Sequence, residues 1–98
     1  MKNMNVRAHI LVTGRVQGVF FRVETSSAAL KGNVAGWVRN TSESRVEAIF
    51  EGDERDVACL IDFCRHGPSG AYVAEANVSW GKYTGTLKGF EIRRTSIL

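Results

Sequence analysis

The sequence has no long apolar run. Nowhere in its 98 residues is there a stretch of about 18 apolar residues, the length that a membrane-crossing helix requires. The first residues, MKNMNVRAH, lack the apolar segment of a secretory leader, and the cytoplasm is the expected compartment. Proline occurs once and cysteine twice. Cys59 and Cys64 fall in a helical pattern, where five positions turn them about 140° apart at ~100° per residue. Two free thiols are expected, not a disulfide. His9 and His66 form no metal-spaced group with them, so neither a metal ion nor a cofactor is expected. Charge is also lightly biased. Lysine and arginine number 13 against 10 acidic residues, a net charge of +3, and no Lys/Arg block occurs. Such a chain suits anionic partners in general but lacks a basic stripe. No nucleic acid and no membrane is expected among its partners.

What is present is an ordinary globular composition, 44% hydrophobic and 23% charged. It suits one domain over residues 1–98 with a modest core. Ala8, Ile10 and Val12 alternate with Arg7, His9 and Thr13, the period of a half-buried strand. A glycine-bounded loop follows. From about Arg22 to Gly32 the composition suits a helix with a small apolar stripe, Ala28, Ala29 and Leu30. Gly32 and Asn33 end it, because both tolerate a left-handed cap. VAGWVRN (34–40) and RVEAIFE (45–51) read as strands joined by a polar turn, a hairpin. Val46, Ala48 and Phe50 face one way. Asp53 is placed to cap a second helix, with the stripe Val57, Leu60, Ile61 and Cys64. HGPSG (66–70) stops it. AYVAEANVSW (71–80) and FEIRR (90–94) read as two more strands. Trp37 and Trp80 are expected to be packing residues. The order strand, helix, strand, strand, helix, strand, plus a fifth strand, is α+β and ferredoxin-like. The expected sandwich is a mainly antiparallel sheet with both helices on one face.

GRVQGVFFR, Gly14 to Arg22, lies between the first strand and the first helix. A helix start has backbone N–H groups without partners and a dipole that favours anions. Glycines let consecutive N–H groups converge into a nest. An arginine in the first helical turn adds a forked cation suited to phosphate oxygens. The loop's physics points to phosphate or carboxylate. It lacks the Gly-Lys-Ser/Thr of a nucleotide P-loop and the third glycine of a dinucleotide fingerprint.

GRVQGVFFR resembles the first signature of the acylphosphatase family, and GWVRN, Gly36 to Asn40, resembles the core of its second. Arg22 and Asn40 stand 18 positions apart, as in the family. Glu51-Gly52, GPSGA (67–71) and GFEI (89–92) extend the resemblance over nearly the whole chain. It implies a small monomer that hydrolyses the carboxyl–phosphate bond of an acyl phosphate to a carboxylate and inorganic phosphate. It implies that Arg15, Val16, Gln17, Gly18, Val19, Phe20 and Phe21 cradle the phosphate through backbone N–H groups. Arg22 then grips the same phosphate, and Asn40 holds the attacking water. For Arg15 and Gln17 the expectation falls on the backbone and not the side chain. The chemistry needs neither a metal nor a covalent nucleophile. A carboxylate leaves with little protonation, so positioning and charge stabilisation supply the acceleration. Neither motif contains His, Asp or Glu, and the resemblance implies that the substrate phosphate takes the water's proton.

Two positions depart from the family pattern. Ser44 stands where a glycine is usual, and a left-handed Ser there costs about 1 kcal/mol more than Gly. Gly32-Asn33 replaces the usual Leu-Gly at the end of the first helix. The rival reading is a non-catalytic ferredoxin-like module that holds an anion or RNA. RNA binding on such a sheet uses aromatics on its open face, and RAHILVT (7–13) and RVEAIFE offer no such exposed pair.

Overall fold

The computed structural model describes residues 4–96. Its elements follow as β1 (Asn5–Arg15), α1 (Phe21–Lys31), β2 (Ala35–Asn40), β3 (Val46–Asp53), α2 (Glu54–His66), β4 (Tyr72–Gly81) and β5 (Phe90–Ile92). The alternation in β1 and β3 produces the centre of the sheet. Ala8 lies opposite Phe50, Ile10 opposite Ala48 and Val12 opposite Val46 in an antiparallel ladder. All of these side chains are buried. Because side chains alternate across a strand, Arg7, His9 and Leu11 then share the other face with Glu47, Ile49 and Glu51.

Both helices cover the apolar face. α2 begins at Asp53, whose side chain accepts from the Arg55 N–H at 2.9 Å, as its sequence predicts. It buries Val57, Leu60, Ile61 and Cys64, each contributing about 1.5–3 kcal/mol for the larger aliphatic side chains. Cys59 on the same helix is exposed, and both thiols are free. Burial pushes the Cys64 thiol up to about 12, against a weaker opposing contribution from the Thr25 hydroxyl. α1 differs from the expected stripe. It buries Phe21, Thr25 and Ala29, an i, i+4, i+8 row, while Leu30 is exposed. The anchor is Phe21 at the helix start, whose ring meets Phe63 of α2 edge-on at 6.4 Å between centroids. Helical spacing from that anchor turns Leu30 outwards. Both helices and the central strands share one apolar cluster.

The sheet order is β4-β1-β3-β2-β5. The β1–β3, β1–β4 and β2–β3 pairs are antiparallel, and β5 runs parallel to β2. This is the ferredoxin-like arrangement with a fifth strand added at the edge beside β2. Gly36 of β2 lies between Phe50 and Phe90 in register. A Cβ there would stand 1.8 Å from the Ile49 carbonyl oxygen. Its absence lets the two phenyl rings stack at 5.9 Å, which seats β5. Trp37 is buried as expected, but Trp80 is 60% exposed. It sits near the end of β4, the edge strand beside β1.

Candidate active site

The loop between β1 and α1 is anchored at both ends and open in the middle. Val16 and Phe21 are buried; Gly18 and Phe20 between them are exposed, and Gln17 and Val19 are half-buried. The anchoring begins at Gly14. The β1–β4 register shifts between Thr13 and Gly14, a bulge that redirects the strand end. A Cβ on Gly14 would lie 2.2 Å from the Tyr72 carbonyl oxygen, so only glycine permits this approach. Arg15, next along, is exposed.

α1 starts without a side-chain cap. Its N-cap is Phe20, in the left-handed region at φ 60°, ψ 23°, and no side chain bonds the first turn. The first intrahelical bond runs from the Glu24 N–H to the Phe20 carbonyl at 3.0 Å. The N–H groups of Phe21, Arg22 and Val23 therefore have no partner within the helix, and the helix dipole makes this end electropositive. A bulky residue at positive φ is strained. Phe20 takes that conformation and leaves these donors free. Arg22 lies half-buried in the first turn. Among the described residues it has no carboxylate at salt-bridge distance. α1 packs on β2 and β5, the side of the molecule that carries Asn40.

Asn40 ends β2 at the mouth of the β2–β3 hairpin, opposite Val46. Its carbonyl accepts from the Ser96 N–H at 3.0 Å. Its side-chain Oδ1 is buried and has no hydrogen-bond partner among the described residues. The turn that follows is densely bonded. The Thr41 N–H donates to the Arg45 carbonyl at 2.9 Å and the Ser44 N–H to the Thr41 carbonyl at 3.3 Å. Thr41 Oγ1 accepts from the Glu43 and Arg45 N–H groups at 3.3 and 3.2 Å. Ser44 is left-handed at φ 65°, the conformation for which the family's usual glycine is suited.

A polar group braces the hairpin from the open face of the sheet. Arg39 Nε donates to Glu47 Oε1 at 2.8 Å, and His9 Nε2 lies 2.7 Å from Glu47 Oε2. Desolvation works to raise the Glu47 pKa, but hydrogen bonds and charge from His9 and Arg39 outweigh it and hold the carboxyl below its ordinary value. Two guanidinium groups, of Arg39 and Arg93, each lie 4.8 Å from the Trp37 ring centroid. The Trp37 ring is thus already engaged.

The loop and the hairpin touch through Gln17. Its Nε2 donates to the Thr41 carbonyl at 3.1 Å and to the Arg45 carbonyl at 2.9 Å. The sequence reading assigned Gln17 a backbone role alone. The side-chain contacts span 24 and 28 residues, and no local pattern announces them. The left-handed Phe20 is equally silent in sequence, because Phe is not a residue of that region.

The α+β sheet carries an uncapped helix start beside an arginine with no carboxylate partner among the described residues, an arrangement whose chemistry suits an anion. Comparison with known proteins makes this specific. The acylphosphatase family model matches residues 8–92. An acylphosphatase of Syntrophus aciditrophicus (strain SB) is 52% identical over 89 residues, covering 91% of this chain and 93% of that protein. One of Pelotomaculum thermopropionicum is 48% identical over 86 residues, covering 88% and 94%. The crystal structure of acylphosphatase from Bacillus subtilis superimposes with a TM-score of 0.86 at 32% identity, covering 90% of this chain and 98% of that one. The chain belongs to the acylphosphatase family.

Proposed function

We propose that this protein is an acylphosphatase in which the 15–21 loop and Arg22 hold the phosphate and Asn40 holds the attacking water. The backbone N–H groups of Arg15, Val16, Gln17, Gly18, Val19, Phe20 and Phe21 form the cradle. The Arg22 guanidinium, with its fixed fork of donors, grips two phosphate oxygens. Water attacks phosphorus, the bond from phosphorus to the acyl oxygen breaks, and the carboxylate leaves with the bonding pair. A phosphate oxygen takes the water's proton. The cradle and Arg22 meet the charge that grows on the equatorial oxygens.

The observation that carries this reading is the Asn40 amide. Its Oδ1 is buried without a partner among the described residues, a condition that costs about 1–3 kcal/mol. A site that binds a water there recovers this cost, and the acceptor orients the water by one of its hydrogens. The substrate is an acyl phosphate and the product inorganic phosphate. The protein works as a monomer in the cytoplasm without a nucleic-acid partner. Its free thiols fit a reducing compartment. No observation favours the binding-module alternative, which predicts phosphate binding without turnover.

Phosphate release from benzoyl phosphate, with phosphate affinity measured by calorimetry, tests the two roles separately. Arg22→Lys keeps a charge but loses the fork, so affinity and turnover fall together, turnover by at least about 100-fold. Asn40→Ala leaves phosphate affinity nearly unchanged and lowers kcat by about 100-fold or more, the pattern of an interaction used in the transition state. Equal loss of affinity in both variants would contradict the water-holding role.

A further inference from the structure

We propose that Gln17 is a positioning residue for the attacking water, its side-chain amide tying the phosphate loop to the turn that fixes Asn40. The proposal rests on the reading of Arg22 and Asn40 given above. A primary amide has two N–H donors on one nitrogen. In Gln17 both are used across the fold, on the Thr41 carbonyl at 3.1 Å and the Arg45 carbonyl at 2.9 Å. These carbonyls are the acceptors of the turn itself, for the Ser44 and Thr41 N–H groups. Gln17 therefore adds two bonds to a turn that carries the cost of a left-handed Ser44. Thr41 directly follows Asn40. Its N–H lies in the peptide joined to the Asn40 Cα and donates to the Arg45 carbonyl, so a shift of that carbonyl moves the peptide next to the Asn40 side chain.

The consequence for turnover is large because of what is being aligned. The loop places phosphorus and Asn40 places the water, and the two stand on separate elements. A misplacement of about 1 Å costs on the order of 100-fold in rate. Gln17 belongs to the loop by its backbone and to the turn by its side chain, so one residue sets the spacing of the two parts. Other side chains of similar size lack the means. Glu would put a carboxylate against two carbonyl oxygens, and Met offers no donor. Asn has the right group but is one methylene short.

Gln17→Met and Gln17→Asn are compared with the wild type by phosphate release from benzoyl phosphate, by inhibition with inorganic phosphate, and by thermal unfolding. Both variants retain the backbone N–H. The expected result is a kcat lower by about 10-fold or more, with KM and phosphate inhibition within about two-fold, measured where unfolding curves show the variants fully folded. Hydrogen exchange at the amides of Thr41 and Ser44 accelerates in parallel. Asn at 17 gives the second variant if Met leaves too little folded protein. In an Asn40→Ala background, Gln17→Met lowers kcat by less than about two-fold, because its partner in the effect is already gone. A full, additive loss in that background overturns the proposal. So does an unchanged kcat in both single variants, or a loss of phosphate inhibition that matches the loss of turnover. A wild type that releases no phosphate fails the underlying reading instead, whereas an active wild type with indifferent Gln17 variants fails the clamp alone.

Discussion

At Phe20 the chain accepts strain where a capping residue would remove it. Ser, Asp or Asn at that position would satisfy the first-turn N–H groups with its own oxygen. Phe cannot, and its left-handed backbone at φ 60° costs on the order of 1–3 kcal/mol. The side chain repays little of this, being 76% exposed. In the proposed site the gain is a set of first-turn donors that no side chain caps. Phe20→Gly relaxes the backbone and is expected to stabilise the fold by about 1 kcal/mol. The same change gives the loop more conformations to lose on binding, so inorganic phosphate inhibits the variant more weakly. Thermal unfolding and inhibition curves check both; an unchanged unfolding midpoint would mean that no strain is stored there. Nothing in the residue type signals this conformation. Asn33 is the contrast: it too is left-handed, at φ 62°, and Asn after a helix is a pattern that sequence discloses.

The elements were legible in proportion to how cleanly their burial alternates. α2 was readable to the residue, because Val57, Leu60, Ile61 and Cys64 keep helical spacing with polar residues between them. α1 was readable as a helix but not as a face, since a buried Thr25 and an exposed Leu30 invert the usual cue. Tertiary contact with Phe63 decided that face. The β2–β3 hairpin was legible as a pairing, and its Ser44 as a departure from the family. The structure adds the conformation that makes the departure costly. Ser44→Gly keeps the turn bonds and removes the side chain from the left-handed region. It is expected to raise stability by about 0.5–1 kcal/mol. Denaturant unfolding gives the answer, and a stability loss would show that the turn draws on the Ser44 side chain. The motifs at 14–22 and 36–40 gave the candidate site through resemblance. They could not give its cross-connection, because Gln17 finds its acceptors on an element formed far along the chain.

The whole molecule has a topological problem that one carboxylate solves. β4 and β5 are consecutive strands on opposite edges of the sheet. The connection between them, residues 82–89, must cross the face that the helices leave open. Glu51, on the central strand β3, holds it there. Only 2% of this residue is exposed. Its carboxylate accepts from Arg7 Nη1 at 2.7 Å, the Thr84 N–H at 3.0 Å and the Gly85 N–H at 3.2 Å, with the Thr84 hydroxyl at 2.9 Å. Desolvation pulls the Glu51 pKa upward, yet these donors outweigh it and keep it below the ordinary 4.5. The sign of the linkage follows. A carboxyl whose folded-state pKa is depressed adds stability above the unfolded value and loses it as pH falls through the folded value. The protein is therefore expected to keep its stability down to about pH 4.5 and to lose it steadily below. Glu47 shifts in the same direction and shares the window. Glu51→Gln cannot ionise and gives up its charge-assisted bonds, so at pH 7 it is less stable by about 2–3 kcal/mol. Its stability then falls less steeply than the wild type's below pH 4.5, because one of the titrating groups is gone. The crossing leads into β5, and beyond it the Arg93 and Ser96 N–H groups bond the carbonyls of Val38 and Asn40. Loosening it at Glu51 should thus reach the candidate site, lowering turnover in the variant at pH 7 with phosphate inhibition largely kept. Denaturant unfolding across pH 3–7 for both proteins is the measurement. An identical acid slope in wild type and Glu51→Gln would mean that the acid loss arises elsewhere, and that the crossing is held by contacts other than this carboxylate.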